Sequence, residues 1–312
     1  MLTILNITII IISALIAIAF YTLTERKFIG YIQFRKGPNK PSIIAIIIPI
    51  ADAGKLFSKE EKKIIPMNYK YYYWTPIIII ILSILLWPIF PHKNSIFIIK
   101  LRIIYFLCIT RIIVYTTFLT GWRSNTKWSL LGALRGVAQR ISYEVRISLI
   151  LICFISHVSS ININNIPREQ FTWIIFLIIP LSLSWIIRII AETHRTPFDF
   201  AEGESELVSG FNIEYKRSIF AIIFIAEYIN IIIIRLITAS VISKRWSRIE
   251  LIIKTRLISI IFIFTRRALP RIRYDILINI LWKKILPLRL IWIIIRISII
   301  LITKWYCAGL NG

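Results

Sequence analysis

The chain is poor in the residues that hold metals and redox groups. Its 312 residues include three cysteines and three histidines. Cys108 and Cys153 fall inside apolar runs and Cys307 lies near the end, without the spacing of a metal site. The histidines are scattered, at His92, His157 and His194. We therefore predict no iron–sulfur cluster, haem, zinc or other metal site in this chain.

Two further features are missing or scarce. No glycine-rich loop follows a predicted strand, so we predict no dinucleotide or flavin site. Acidic residues number only 15 against 39 lysines and arginines, for a net charge of +24. The basic residues are scattered among loops and apolar runs without a nucleic-acid-binding signature. Juxtamembrane topology and contact with anionic lipids explain this charge better than nucleic-acid binding does.

What the chain has in abundance is apolar sequence. Hydrophobic residues make up 57% of it and the mean hydropathy is +0.76, which indicates a polytopic membrane protein. Helices are the expected form because backbone polar groups in lipid must be satisfied within each segment. The first run is expected to stay in the mature protein, since it is too long for a signal core. We predict an all-α bundle, a single integral-membrane domain over 1–312, with spans at Leu2 to Thr24, Trp74 to Phe90, Ile103 to Trp122, Leu131 to His157, Phe171 to Ala191, Ser218 to Ile242, Glu250 to Phe264, and Ile285 to Thr303.

The charge of the loops orients these eight spans. Loops at about 25–73, 123–140, 192–217 and 266–284 carry 23 lysines and arginines, whereas the opposite loops carry 9. The positive-inside rule places the first group on the cytoplasmic or mitochondrial-matrix side. Within the first loop, residues 43–58 mix apolar residues with Asp52 and Lys55 and are interrupted by Pro49. This pattern predicts an amphipathic helix lying on the membrane surface, with an ordinary connector as the alternative.

Acidic residues concentrate in one place. Seven of the 15 lie between Glu192 and Glu227. Glu144 and Glu227 stand well inside apolar runs, where a carboxylate is costly and a functional role is the default interpretation. Close carboxylates cannot all ionise cheaply, so the group is expected to titrate as a coupled set. A solvated acidic loop that pairs with neighbouring basic residues is the alternative.

Several long motifs occur in order along the chain. They read TERKFIGYIQFRKGPN at 24–39, ADAGKLFSKE at 51–60, GALRGVAQRISYEV at 132–145, AETHRTPFDFAEGESELVSGFNIEY at 191–215, LPRIRYD at 269–275 and LWKKILPL at 281–288. With these motifs the chain closely resembles the subunit 1 family of NADH:ubiquinone oxidoreductase, respiratory complex I. The resemblance spans essentially the whole chain. It departs at His194, where the family has asparagine, at Ile48, where it has glutamine, and at 216–218, where it has a glycine-rich turn.

The resemblance implies a core membrane subunit of a proton-pumping enzyme in the mitochondrial inner membrane, not catalytic alone. It implies a ubiquinone access channel lined by Glu25, Arg26, Arg35, Lys36, Asp52, Arg195, Glu214, Tyr215, Arg273, Tyr274 and Asp275. It also implies a proton relay through Glu144, Glu192, Asp199, Glu202, Glu204, Glu206 and Glu227. Ubiquinone is then the substrate, and the partners are the soluble quinone-module subunits, the antiporter-like membrane subunits and lipids.

Other functions remain possible interpretations of the same residues. A related subunit of a quinone-free, hydrogenase-type complex would share the carboxylates but not the full TERK and RKGPN set. A free-standing proton or cation transporter would need inverted repeats, which the sequence does not show. A passive scaffold would leave Glu144 and Glu227 unexplained.

Seven arginines fall inside the predicted spans, and of these only Arg235 has an acidic residue, Glu227, at a suitable spacing. At about 2.5 kcal/mol each, their insertion would cost roughly 17 kcal/mol. Several, together with Arg123 and Arg140, stand where the family has serine, threonine or another small residue. We hypothesise that AGA or AGG codons read as serine account for part of this set, which would lower the net charge from +24 to as little as +17. The seven are Arg111, Arg146, Arg188, Arg235, Arg256, Arg289 and Arg296.

Overall fold

The computed structural model describes residues 2–41, 43–60, 69–89, 101–158, 162, 166, 170, 179–201, 203, 210–212, 214–242 and 248–309. Within these residues the secondary structure is entirely helical, which confirms the predicted class. The α-helices are α1 (Leu2–Ile32), α2 (Ile48–Ser58), α3 (Tyr69–Leu85), α4 (Arg102–Arg123), α5 (Lys127–Val158), α6 (Ile179–Glu192), α7 (Arg217–Ile242), α8 (Arg248–Ala268), α9 (Tyr274–Asn279) and α10 (Leu286–Gly309). Short 3₁₀ turns lie at Ile43–Ala45, Trp87–Ile89 and Gly210–Asn212.

Five helical stretches of the described residues are long and apolar enough to cross a membrane. They are Thr8–Ile32, Tyr72–Ile89, Arg102–Arg123, Arg217–Val241 and Tyr274–Ile302. The other three predicted spans overlap α5, α6 and α8. The first part of the predicted span at 171–191 lies outside the described residues before Ile179. The assignment of all eight as membrane spans stays a prediction.

The helices extend further than the predicted spans at several ends. The apolar runs mark only the part that suits lipid, whereas the helical hydrogen-bond pattern continues into the polar flanks. The largest extension is at the last span, where the chain is helical from Tyr274 instead of Ile285. Just before Pro287, which lacks an N–H, the helix widens into a π-helical segment at Ile280–Ile285. The predicted 266–284 loop is therefore largely helical.

The predicted surface helix is present but shorter. A 3₁₀ turn at Ile43–Ala45 precedes α2. Pro49 lies in the first turn of α2. Proline suits this position because the first helical N–H groups have no partner within the helix. Asp52 and most other α2 side chains are exposed. Its location at the membrane surface stays a prediction.

The core lies around α7, which packs against α1, α2, α3 and α8. A cluster of buried side chains joins it to the neighbouring helices through Tyr21, Phe106, Ile147, Trp185 and Ile229. Helices α4 and α5 approach closely at Gly121, where an added Cβ would overlap the Ala133 Cβ. Small residues at such crossings allow helices to pack tightly in membranes.

The outer surface of the bundle is apolar. Helix α1 exposes Leu5, Ile9, Ile12, Ile16 and Phe20, which recur at helical spacing on one face. Helix α8 exposes a similar stripe of isoleucines and leucines, and most of α10 is exposed. A protein whose surface is this apolar along several long helices matches the membrane environment that the sequence predicts.

Candidate functional site

The sequence-predicted carboxylates converge on one cavity inside the bundle. This cavity is lined by Glu144 on α5, Glu192 at the end of α6 and Glu227 on α7. We call it the carboxylate cavity. Its remaining walls include apolar side chains of α4 and α7, among them Phe106, Ile113 and Ile234. Residues separated by 83 positions in the sequence therefore share one enclosed space.

Helical spacing explains how each helix presents its polar side chains here. Arg140 and Glu144 are four residues apart on α5, as are Arg188 and Glu192 on α6. On α7 the cavity is lined by Glu227, Asn230, Ile231 and Ile234. Residues three, four and seven apart lie on the same face of a helix. Helices α5, α6 and α7 thus each turn one face toward the cavity, and that face includes a carboxylate.

Cations stand beside these carboxylates. Arg188 Nη2 lies 2.8 Å from Glu192 Oε2, and the Arg188 side chain is almost fully buried. Glu144 lies close enough to Glu192 for their charges to repel, and Asp199 stands in the same relation to Glu227. The cavity is therefore a set of mutually interacting charges, in which a proton gained by one group changes the field at the others.

The turn that follows α6 contributes His194 to the same cavity. Its Nε2 accepts a hydrogen bond from the Arg140 Nε, and its backbone adopts a left-handed conformation with φ of 49°. Burial, reinforced by the nearby charges of Arg140 and Arg195, holds the pKa of His194 well below its usual value. The imidazole is consequently neutral and acts as an acceptor toward Arg140.

A second, smaller cavity lies on the other side of this turn. It is lined by Glu25, Arg195, Arg235 and Arg266, with Phe262 among its apolar walls. We call it the arginine cavity. Arg195 lies over the rings of Phe224 and Tyr228, 5.6 Å and 5.1 Å from their centroids.

Glu25 is the acidic residue of the arginine cavity. Its Oε2 accepts a hydrogen bond of 2.8 Å from the Tyr228 hydroxyl and lies 3.4 Å from Arg266 Nη1. These contacts join α1, α7 and α8 at one carboxylate. Arg235 contacts the Tyr21 hydroxyl and lies 3.9 Å above the centre of the Tyr21 ring.

The expectation that only Arg235 among the seven arginines has an acidic partner, Glu227, is wrong in two respects. Arg188 pairs with Glu192 one helical turn later, and Arg235 does not pair with Glu227. The spacing of Glu227 and Arg235 suggested a pair two turns apart on one helix. Eight residues correspond to about 800°, so the two side chains point roughly 80° apart around α7. The structure places Glu227 in the carboxylate cavity and Arg235 in the arginine cavity, where its guanidinium contacts Tyr21.

The turn after α6 separates the two cavities. Glu192 and His194 line the carboxylate cavity, Arg195 and Thr196 line the arginine cavity, and Thr193 lines both. The amide of the fully buried Gln139 on α5 holds the turn at both ends. It donates to the carbonyls of Ala191 at 3.1 Å and Phe198 at 3.0 Å.

The turn is also held on the side of the arginine cavity. The Thr196 hydroxyl donates to the Arg266 carbonyl over 2.8 Å, and the Ile272 N–H donates to the Pro197 carbonyl over 3.2 Å. The turn is therefore fixed to α5 on one side and to the chain that leaves α8 on the other.

The other predicted channel residues lie in different places. Arg26 points away from Glu25 and forms an exposed ion pair of 3.0 Å with Asp52 on α2, while Arg35 and Lys36 are exposed beyond α1. Successive helical residues differ by about 100° in direction, so Glu25 and Arg26 cannot face the same side.

Other channel residues sit near the 210–216 and 273–275 segments. The Glu214 carbonyl accepts a 2.9 Å hydrogen bond from Tyr72, and Tyr215 is buried against that ring with the centroids 4.6 Å apart. Burial raises the pKa of Tyr215 to about 12, so it stays protonated as a packing residue. Arg273 and Asp275 form an exposed pair of 3.3 Å, and Tyr274 packs edge-on against Phe200. The predicted relay residues Glu202, Glu204 and Glu206 lie outside the described residues.

The structure adds residues that sequence reasoning did not select as site residues. They share direct contact with the predicted carboxylates or with the turn, and they are Gln139, Arg140, Arg188, Thr193, Tyr228 and Arg266. A positional signal existed for three of them, because Tyr228 follows Glu227, and Arg140 and Arg188 each precede a predicted glutamate by one helical turn. Gln139 carried no such signal.

Comparison with known proteins gives the same family as the sequence motifs. The NADH dehydrogenase family profile matches residues 5–297. The chain is 44% identical over 291 residues to NADH-ubiquinone oxidoreductase chain 1 of Aedes aegypti, covering 93% of both chains. It is 45% identical over 289 residues to the protein of the same name from Locusta migratoria, covering 92% of both. With matches of this length and identity, the chain belongs to the NADH dehydrogenase family.

Proposed function

We propose that this chain is the core membrane subunit of NADH:ubiquinone oxidoreductase that forms the ubiquinone access channel and links it to the proton-pumping subunits. The relatives are named as chain 1 of that enzyme, in which ubiquinone is the electron acceptor. The subunit lies in the mitochondrial inner membrane as a multi-pass protein among the other subunits of the complex. It supplies no hydride or electron chemistry of its own.

One structural relationship carries this proposal. A single turn, from Thr193 to Thr196, forms a wall of both the arginine cavity and the carboxylate cavity. A change of charge or shape on one side therefore acts on groups of the other side through a few covalent bonds. Such a connection is what a quinone site needs in order to influence a proton relay.

The chemistry of the two cavities fits different roles. The arginine cavity offers cationic and hydroxyl donors beside aromatic and apolar walls, and this chemistry matches the carbonyl oxygens and the apolar ring of a quinone head group. The carboxylate cavity offers three carboxylates within one partly apolar enclosure. Acidic groups enclosed in a membrane bundle are typical of proton pathways.

The two cavities are coupled by electrostatics. Reduction of a quinone takes up protons and changes the charge near Arg195 and Glu25. Because the charge of Arg195 acts on both His194 and Glu227, this change alters the field at Glu227 in the carboxylate cavity. One carboxylate then releases or takes up a proton, and the relay passes this change toward the partner subunits.

Replacing Glu227 by glutamine tests the proposal. Glutamine keeps the size and hydrogen bonding of the side chain but removes its titration, and a neutral amide is less costly to bury than a carboxylate. We expect the assembled enzyme with Glu227→Gln to lose at least tenfold in ubiquinone reduction and in proton pumping in sealed vesicles. NADH oxidation by a soluble artificial acceptor should stay near normal, since it does not need the quinone site.

Glu250→Gln is the matched control, because Glu250 is an exposed carboxylate at the start of α8 outside both cavities. The control should keep normal ubiquinone reduction and pumping. A fully assembled Glu227→Gln enzyme with normal quinone reduction and a normal number of protons pumped per NADH would contradict the relay role.

A further inference from the structure

Among the residues that the structure describes, two arginines are completely enclosed within the helix bundle. They are Arg146 on α5 and Arg289 on α10, and both have no exposed surface. The Nε, Nη1 and Nη2 atoms of Arg146 make no hydrogen bond with any residue that the structure describes. Its guanidinium lies over the rings of Tyr143 and Trp282, 5.8 Å and 5.4 Å from their centroids. Arg146 is thus a buried cation held by aromatic faces.

Arg289 makes hydrogen bonds with some of its guanidinium nitrogens, whereas Arg146 makes none to the described residues. Its Nε lies 3.4 Å from the Ser184 hydroxyl and its Nη2 lies 3.2 Å from the Ser184 carbonyl. The Nη1 atom is buried without a hydrogen bond to the described part of the chain. Its closest charged neighbours include Arg146 and Arg188, which repel it. Two like charges are therefore added to an interior that already holds Arg188.

Other arginines of the chain show what a stable arrangement looks like. Arg188 reaches Glu192, Arg266 reaches Glu25, and Arg26 reaches Asp52, in each case within 3.4 Å. Arg146 and Arg289 reach no carboxylate among the described residues. A buried charge without a counter-charge is among the most destabilising features of a protein interior. Because both side chains are enclosed, neither can extend its charge to the membrane surface.

We propose that the native protein carries serine, not arginine, at positions 146 and 289. Several animal mitochondrial codes read AGA and AGG as serine, and this chain belongs to a family whose relatives here are animal proteins. Serine needs no outside partner in a helix, because its hydroxyl bonds to a carbonyl one turn earlier. Ser148 on α5 and Ser184 on α6 already do so, each with a distance of 2.7 Å.

The smaller side chain also suits the packing. Position 146 is on α5, position 289 is on α10, and these helices contact each other. Small residues at contacts between membrane helices allow the backbones to approach and the helices to pack without a buried charge. Serine at both positions would leave Arg188, with its partner Glu192, as the cation beside this part of the carboxylate cavity.

Amino-acid composition supports the same conclusion independently of any contact. The chain contains 81 isoleucines but only 2 methionines. Many of the mitochondrial codes that read AGA and AGG as serine also read AUA as methionine. A chain in which AUA stands for isoleucine would have an excess of isoleucine and a shortage of methionine, as is the case here.

Peptide mapping of the native complex tests the proposal directly. The complex from mitochondrial membranes is digested in parallel with an arginine-specific protease and with chymotrypsin, and the peptides are sequenced by mass spectrometry. We expect no arginine-specific cleavage after positions 146 and 289, and chymotryptic peptides with serine there. Arg26 and Arg266, which have carboxylate partners, serve as internal controls and should be cleaved.

The gene gives a second readout. AGA or AGG at both positions, together with serine in the peptides, is the result that the proposal requires. A peptide with arginine at either position overturns it, as does a CGN codon at either position, because such codons specify arginine.

Discussion

The Tyr228 hydroxyl donates a 2.8 Å hydrogen bond to Glu25, across 203 residues of sequence. It joins α1 to α7 at the wall of the arginine cavity, where Arg266 also approaches the same carboxylate oxygen. A carboxylate that is 6% exposed depends on such partners, because an unpaired charge in this position would be costly. The contact therefore fixes the position of the Glu25 side chain.

Removing this hydroxyl should weaken the quinone-linked reaction. A hydrogen bond to a charged group contributes about 1.5–3 kcal/mol, so we expect Tyr228→Phe to lower ubiquinone reduction by roughly tenfold or more. Artificial-acceptor NADH oxidation measures assembly in the same membranes and should change little. Tyr115→Phe, at an exposed tyrosine of α4, is the matched control. Equal rates in the two variants would show that this contact has no part in the quinone reaction.

Gln139 is expected to act as a positioning residue for the turn between the cavities. Gln139→Leu keeps the approximate size of the side chain but leaves the Ala191 and Phe198 carbonyls without this donor, at about 1–3 kcal/mol each. We expect a several-fold lower turnover with ubiquinone and fewer protons pumped per NADH, in complex that still assembles. Native-gel abundance separates this from a folding defect. A normal pumping ratio in an assembled Gln139→Leu enzyme would contradict the positioning role.

The lowered pKa of His194 predicts a pH effect on stability. The folded protein keeps this imidazole neutral, whereas the unfolded chain binds a proton below about pH 6.5. The unfolded state then holds more protons, so the contribution of this site is complete above about pH 6.5 and is lost as the pH falls below it, by up to about 1.4 kcal/mol per pH unit.

His194→Asn should remove this contribution while preserving the left-handed backbone, which asparagine adopts readily. Thermal inactivation of the native and variant complexes between pH 5 and 8 provides the comparison. We expect the native complex to lose stability more steeply toward acid. Parallel curves would show that His194 does not remain neutral in the folded protein.

Gly121 offers a test of the packing between α4 and α5. An alanine Cβ at this position would overlap the Ala133 Cβ and would lie 2.9 Å from the Ser129 carbonyl oxygen, so the helices would have to separate. Overpacking of this kind costs about 1–3 kcal/mol or more, and we expect Gly121→Ala to reduce the amount of assembled complex on native gels. Gly54→Ala is the control, because an added Cβ there meets open space. Normal assembly of the Gly121→Ala variant would contradict this description of the crossing.

The carboxylates of the candidate site could be predicted from the sequence, because acidic residues are costly and therefore rare in segments that insert into a membrane. Glu144 and Glu227 stand out in apolar runs, and Glu192 ends one, so each was predicted as functional. The structure places all three in one cavity. The helical class, the approximate places of the most apolar spans and the presence of α2 followed from composition and periodicity for the same reason, since lipid constrains these features locally.

Other features depended on the direction in which each side chain points around its helix. The sequence does not specify this direction when a helix is surrounded by apolar residues. Glu25 and Arg26 were expected at one channel mouth, yet they face opposite environments, one the arginine cavity and the other an exposed pair with Asp52. Tyr215 was predicted for the channel but packs against Tyr72. Their roles depend on which neighbouring helix each side chain meets.

The sequence by itself determined that this is a helical membrane protein, which family it resembles and which carboxylates are unusual, because each of these is a property of a short segment. Only the tertiary structure decided that Thr193 borders two cavities, that Gln139 holds the turn between them and that Arg146 is enclosed without a counter-charge. These are relationships between helices distant in sequence. They depend on how the helices rotate and pack against one another, which the spacing of residues along one helix cannot specify.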